Sequence, residues 1–128
     1  MNLLLDTHIA LCAITDHPGL TRPARDWISN PRSTVWVSVV SLWEIAIKHS
    51  LGRGDMPVSG QEALGYFQES GHRLLAVLPE HAAAVADLPP HHQDPFDRLL
   101  VAQALTEPLR LLTHDAMVAR YSDTIIEI

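Results

Sequence analysis

Cysteine is nearly absent from this chain. Cys12 is the single one among 128 residues, so no disulfide within the chain can hold its fold. That suits a reducing compartment, and a cytoplasmic location is the expectation. Basic residues are scarce too, with nine Lys plus Arg against fifteen Asp plus Glu and a net charge of −6 with histidines neutral. This argues against a protein that grips nucleic acid by a broad basic surface. It leaves room for one whose phosphate contact runs through bound metal, because divalent ions offset clustered carboxylates. Long apolar runs are missing as well. Met1-Asn2-Leu3-Leu4-Leu5 has no basic flank and is cut short by Asp6, which reads as neither a signal peptide nor a membrane span. Internal repeats, linkers and low-complexity stretches are lacking. So are a Gly-rich dinucleotide fingerprint and a Ser or Cys nucleophile motif. The glycine-rich loop Leu51–Pro57 has no Lys-Ser/Thr ending, which excludes a nucleotide P-loop. His91 and His92 are adjacent instead of four apart around a Glu, which speaks against a zinc helix and leaves them as loop residues facing solvent or substrate.

What is present is apolar substance in an alternating arrangement. Apolar residues make up 47 % of the chain, which excludes disorder and suits one domain spanning residues 1–128. Leu3–Leu5, Thr34–Val37, Arg73–Val77, Arg110–Thr113 and Thr124–Ile126 read as strands. Helical stretches fall between them, from Thr7, from about Pro23 to Ser29, and from Ser38 to about Ser50. Others run from Ser59 to about Ser70, from Pro79 to Leu88, from Pro95, and from Ala116 to Tyr121. Strands alternating with helices predict an α/β fold, a central mostly parallel sheet flanked by helices in three layers. The helix after Ser38 is apolar nearly all round, through Val39, Val40, Leu42, Trp43, Ile45, Ala46 and Ile47. That pattern predicts a buried helix. The three tryptophans, Trp27, Trp36 and Trp43, are expected in the core and also allow a groove for a partner.

Carboxylates stand at particular points of this pattern. Asp6 and Asp115 each follow an apolar strand and precede a helix. Both suit helix N-caps, and both fall at the carboxyl ends of strands, where open α/β sheets form their ligand crevice. Asp94 suits the N-cap of the helix that Pro95 opens. Asp97 lies in that helix's first turn and heads the apolar stripe Leu100, Val101 and Ala104, so it points inward. Glu44 shares a narrow polar stripe with Ser41 and Lys48 on the otherwise apolar helix. An exposed Glu44–Lys48 pair is worth only ~0.2–0.5 kcal/mol, too little to offset burial of a lone Glu. Four carboxylates converging on one sheet edge cannot all stay ionised without a compensating charge. Hard divalent cations, Mg²⁺ or Mn²⁺, fit oxygen ligands of this kind, and such a site activates water against a phosphodiester.

The same blocks resemble a known family. Leu3-Leu4-Leu5-Asp6-Thr7-His8, Val37-Ser38-Val39-Val40-Ser41-Leu42-Trp43-Glu44-Ile45, Asp94-Pro95-Phe96-Asp97-Arg98-Leu99-Leu100-Val101-Ala102-Gln103-Ala104 and Leu111-Leu112-Thr113-His114-Asp115 follow in family order over almost the whole chain. In this the chain is similar to PIN-domain ribonucleases of the small VapC type, toxins of prokaryotic toxin–antitoxin pairs. The resemblance implies a PIN-like fold, a homodimer, and Mg²⁺- or Mn²⁺-dependent endonucleolytic cleavage of RNA, often exposed loops of tRNA or ribosomal RNA. It implies an antitoxin that packs on the toxin and blocks its site. It places the acidic metal-binding and catalytic quartet on Asp6, Glu44, Asp97 and Asp115, with Thr7, Ser41, Asp94 and Thr113 supporting them. Arg98, Lys48 and Arg53, with Arg22, Arg25 and Arg32, are the candidate phosphate contacts. The lean basic content departs from what an RNA-binding enzyme usually carries. Two other readings compete: a catalytically inert PIN-like binding module, and another metal-dependent phosphohydrolase such as a DNA nuclease. A receiver-type signalling domain would need paired acids after the first strand and a late lysine, and neither is present.

Overall fold

The computed structural model describes residues 1–52 and 55–128. β1 (Asn2–Leu5) is the middle of a five-stranded sheet with β2 (Thr34–Ser38), β3 (Arg73–Leu75), β4 (Arg110–Thr113) and β5 (Ile126–Glu127). The spatial order is β3-β2-β1-β4-β5, and every pairing is parallel. Side chains alternate across a strand, so Leu3 and Leu5 enter one core layer and Leu4 the other. β2 does the same with Val35 and Val37 on one side and Trp36 on the other. Each fully buried leucine contributes ~1.5–3 kcal/mol, so a strand buried on both faces is the natural centre of the sheet.

Helices cover both faces. On the side of Leu3 and Leu5 lie α1 (Thr7–Ile14), α2 (Arg22–Ser29), α3 (Val39–Ser50) and α4 (Gly60–Glu69), through Ile9, Ala24, Ile45 and Phe67. On the side of Leu4, α6 (Pro95–Thr106) and α7 (Ala116–Ala119) pack through Val101, Ala104 and Val118. α5 (Pro79–Ala84) and a 3₁₀ turn, Val85–Asp87, lie against α6. The start of α4 needs a glycine: a Cβ on Gly60 would sit 2.8 Å from the Ala46 Cβ of α3. The expected three-layer α/β architecture is therefore present, with a wholly parallel sheet.

Several sequence readings are corrected. The α5 segment breaks at Ala84, α7 ends at Ala119, β3 stops at Leu75 and the last strand is Ile126–Glu127. More consequentially, α3 is not buried all round. Val39, Trp43 and Ala46 face outward, and Trp43 is 57 % exposed. They line an apolar groove of about 640 Å³ with Leu42 and Leu64. An apolar circumference says that burial is favourable, but only the neighbours decide whether every side receives a cover.

A buried polar bridge joins the two layers. Gln103 of α6 is 0 % exposed. Its Oε1 accepts from the Ser38 hydroxyl at 2.6 Å, and its Nε2 donates to the Ala76 carbonyl at 3.3 Å. Gln103→Leu keeps the volume and strands both partners. We expect it to cost ~1–3 kcal/mol in urea unfolding, the penalty for buried groups left without partners. An unchanged midpoint would show that the bridge adds nothing net.

Candidate active site

The strand order reverses between β1 and β4. At that point the connections leave in opposite directions and a crevice opens beyond the carboxyl ends of the strands. Asp6 follows β1 there and Asp115 follows β4. α3 enters from one face with Glu44 and α6 from the other with Asp94 and Asp97. All five carboxylates, with Lys48, His8 and His114, line one polar cleft of about 370 Å³. Trp43 of α3 and Phe96 of α6 meet edge to face at 5.2 Å.

Each carboxylate has its own environment. Asp6 caps α1, its Oδ1 accepting from Ile9 N at 2.8 Å, and is only 7 % exposed. Burial pushes its carboxyl above the usual range, against the pull of Thr113, Ile9 N–H, His8 and His114. Glu44 is 6 % exposed. Its Oε1 accepts from the Thr7 hydroxyl at 2.7 Å and its Oε2 pairs with Lys48 Nζ at 2.5 Å. Thr7 Oγ1 also lies 2.9 Å from Ser41 Oγ. A hydroxyl has one proton, and the carboxylate is the stronger acceptor, so Thr7 donates to Glu44 and Ser41 donates to Thr7. The Glu44–Lys48 pair and the inward-facing Glu44 thus coexist. Hydrogen bonding to Glu44 raises the Lys48 ammonium above its ordinary value.

Asp97 is the most perturbed. Burial first, then the charges of Asp94, Asp6 and Glu44, push its carboxyl from 3.8 to about 7, with His92 pulling the other way. Asp94 caps α6, its Oδ1 accepting from Phe96 N at 2.8 Å and Asp97 N at 3.2 Å. Asp115 caps α7 through Met117 N at 2.8 Å, and its own N–H donates to Thr113 Oγ1 at 3.0 Å. Partial burial raises the Asp115 carboxyl, but bonds from Met117 N–H and His92 outweigh it and leave the group below the usual range.

His92 is the residue that sequence reading placed wrongly. It is not a solvent-facing loop residue. Its Nδ1 accepts from Asp94 N at 3.0 Å, so in the neutral ring the proton sits on Nε2. That Nε2–H reaches Asp115 Oδ2 at 3.0 Å and Asp97 Oδ2 at 3.3 Å. One N–H is shared between two carboxylates. The nearest signal in the sequence was the proximity of His92 to the Asp94 cap, and that does not predict a side-chain direction.

Arg98 also departs from expectation. Its guanidinium donates to the carbonyls of Val85, Leu88, Pro89 and His92 and to the Tyr121 hydroxyl. Tyr121 in turn accepts from His92 N at 2.9 Å. Arg98 is therefore committed to clamping the 85–92 loop that carries His92 and is not free for phosphate. Arg98→Lys keeps the charge but loses the planar fork. We expect ~1–2 kcal/mol lower stability by urea unfolding. An unchanged midpoint would show that the clamp adds nothing net. Arg25 is likewise engaged, with Asp16 and with the carbonyls of Leu20 and His17. Arg53 lies outside the described residues. Lys48 remains at the cleft wall.

A family model for the PIN domain matches residues 3–123. The chain belongs to the PIN-domain family. Solved structures share this PIN fold over nearly their whole length. VapBC2 from Rickettsia felis, bound to a DNA fragment from its promoter, superposes with a TM-score of 0.71 at 17 % identity, covering 100 % of this chain and 98 % of that one. A toxin–antitoxin complex from Klebsiella pneumoniae gives 0.66 at 17 %, covering 98 % and 99 %. FitAcB from Neisseria gonorrhoeae gives 0.61 at 18 %, covering 98 % and 96 %. At such identity the likeness is one of fold. No curated protein sequence matches the chain. Among the described residues of this PIN domain, no helix is long and apolar enough to cross a membrane.

Proposed function

We propose that this PIN domain, residues 1–128 acting as one unit, is a metal-dependent endoribonuclease and the toxin half of a toxin–antitoxin pair in the cytoplasm. The observation that carries the reading is the convergence of Asp6, Glu44, Asp97 and Asp115, from separate segments, on one cleft at the reversal of strand order. The donor set is all hard oxygen, which fits Mg²⁺ or Mn²⁺. Burial first, and then the charges of Asp94, Asp6 and Glu44, push the Asp97 carboxyl up to about 7, and a cation in the cleft would offset the charge part of that.

Asp6, Glu44, Asp97 and Asp115 are the proposed ligands. When bound, the metal supplies activation of water and neutralisation of charge on the phosphodiester. The chain's own residues do the positioning. Thr7, held by Ser41, fixes one oxygen of Glu44. Thr113 steadies both Asp6 and the backbone of Asp115. Asp94 holds the first turn of α6, and with it Asp97. Lys48, paired with Glu44 at the cleft wall, keeps further ammonium N–H donors for a phosphate oxygen. With few free cations lining the cleft among the described residues, the site suits single-stranded loops, where individual bases and phosphates can be reached, better than a long duplex.

The apolar groove beside Trp43 supports an antitoxin segment as partner. The relatives of like fold include toxin–antitoxin complexes, and a homodimer goes with the same reading. One observation favours an inert binding module: Glu44 and Asp115 already have partners in Lys48 and His92. The deciding experiment incubates the protein with labelled tRNA, ribosomal RNA and single-stranded DNA, with Mn²⁺, Mg²⁺ or EDTA. Cleavage of RNA only with metal supports the ribonuclease. Cleavage of DNA in preference points to the other nuclease, and no cleavage with retained RNA binding points to the module.

A further inference from the structure

Beside the carboxylate cleft stands a second donor set of different chemistry. His8 and Cys12 are four apart on α1, so they share a helix face. His114, just past the end of β4, meets them there. One donor atom from each of the three lies within 4.8 Å of the other two. His8 Nε2 and Cys12 Sγ are 3.8 Å apart, and the two imidazoles meet edge to face at 5.2 Å. In a tetrahedral site with metal–sulfur and metal–nitrogen bonds of ~2.3 and ~2.0 Å, donors lie ~3.5 Å apart. Small side-chain rotations close the difference.

The second histidine has one ring nitrogen committed and the other free. His114 Nδ1 lies 2.8 Å from the main-chain oxygen of Ile128. That oxygen can only accept, so Nδ1 carries the proton and Nε2 keeps a free lone pair. Ligating histidines are oriented in this way by a backbone oxygen on the other ring nitrogen. Burial first, and then the charge of Asp6, push the Cys12 thiol above its usual range, and a bound cation offsets both by stabilising the thiolate. His8 is exposed and lines the polar cleft with His114, which gives an ion a way in.

We propose that His8, Cys12 and His114 form a site for a zinc-class ion, with water as the fourth ligand. Thiolate and imidazole select borderline-soft metals and are poor ligands for Mg²⁺, so the site is chemically separate from the carboxylates. Binding forms a metal–sulfur bond and releases the Cys12 thiol proton to solvent. Because His8 follows Asp6 by two residues and His114 precedes Asp115 by one, an ion here ties the end of β1 to the end of β4. It would stiffen one wall of the cleft without occupying it.

Cobalt(II) is the probe, since a thiolate bound to it gives a near-ultraviolet charge-transfer band, and Cys12 is the only thiol in the chain. The expected result is one saturable band at one ion per chain, displaced by zinc and unaffected by excess Mg²⁺. Asp97→Asn should leave it unchanged. His8→Ala and His114→Ala should each weaken cobalt binding at least ~tenfold, and zinc should raise the melting temperature of wild type but not of His114→Ala. Cys12→Ser should abolish the band. Because Cys12 is buried, the histidine variants carry the test if that variant fails to fold. No band at saturating cobalt, or equal affinity in both histidine variants and wild type, overturns the site.

Discussion

Asp97→Asn should nearly abolish metal-dependent RNA cleavage. The substitution keeps the size of the side chain and removes one charge from a cleft whose proposed chemistry needs it. Burial first, and then the charges of Asp94, Asp6 and Glu44, raise the Asp97 carboxyl, so it feels three other carboxylates of the cleft. The substitution turns a proposed anionic ligand into a neutral, weaker one, where disturbing a ligand's supporting bonds alone already costs 10- to 100-fold in metal affinity or activity. The expected fall in kcat/KM is roughly a hundredfold or more, which is ~2.7 kcal/mol of transition-state stabilisation. Calorimetry with Mn²⁺ on the same pair should show tight wild-type binding that weakens in the variant. Equal binding and equal cleavage in both would remove Asp97 from the site and with it the shared-metal reading.

The same variant should be more stable than wild type once metal is removed. A carboxyl whose value rises from 3.8 to about 7 on folding keeps a proton that the unfolded chain has released. Below the unfolded value both states are protonated and nothing is lost. As pH climbs from there to about 7 the native state loses ground, and above it the penalty is complete. At 1.36 kcal/mol per pKa unit the penalty is on the order of 2–4 kcal/mol, the lower part allowing for water access to a side chain 23 % exposed. In EDTA at pH 8, Asp97→Asn should therefore unfold at higher urea than wild type, with the gap closing near pH 4. Adding Mn²⁺ should reverse the order, because wild type gains more stability by its tighter binding. Identical urea midpoints at pH 8 in EDTA would mean that the clustered charge is already relieved by Lys48 and His92. The cleft would then be an instance of function held at the expense of stability only when those two are insufficient.

Much of the cleft was legible locally. Asp6 and Asp115 stand out because an apolar strand, a carboxylate and a helix succeed one another, and both are indeed caps at the strand edge. Being a cap did not compete with facing the cleft: one oxygen takes the backbone N–H and the other stays available, as Asp115 Oδ2 does toward His92. Glu44 showed as a polar stripe on an apolar helix, and its burial followed. The weak point was the opposite side of that helix. Val39 and Trp43 have the composition of core and the exposure of a docking surface.

What the sequence determined by itself was everything set by neighbours along the chain. Short apolar and β-branched strands, capping residues, Pro95 at the first turn of α6 and the inward heading of Asp97 all depend on spacing of a few residues. Tertiary structure alone decided what depends on groups brought from far away. Arg98 is taken up by a loop that begins thirteen residues before it. His92 ends between two carboxylates from α6 and from beyond β4. The proton affinity of Asp97 is raised by burial and by charges on α1 and α3 as well as its own cap. Periodicity predicts which way a side chain leaves its own element. It carries no information about the charge, donor or empty space waiting on the other side, and in this fold those are supplied by segments more than a hundred residues apart, as Asp6 and Asp115 are in one cleft.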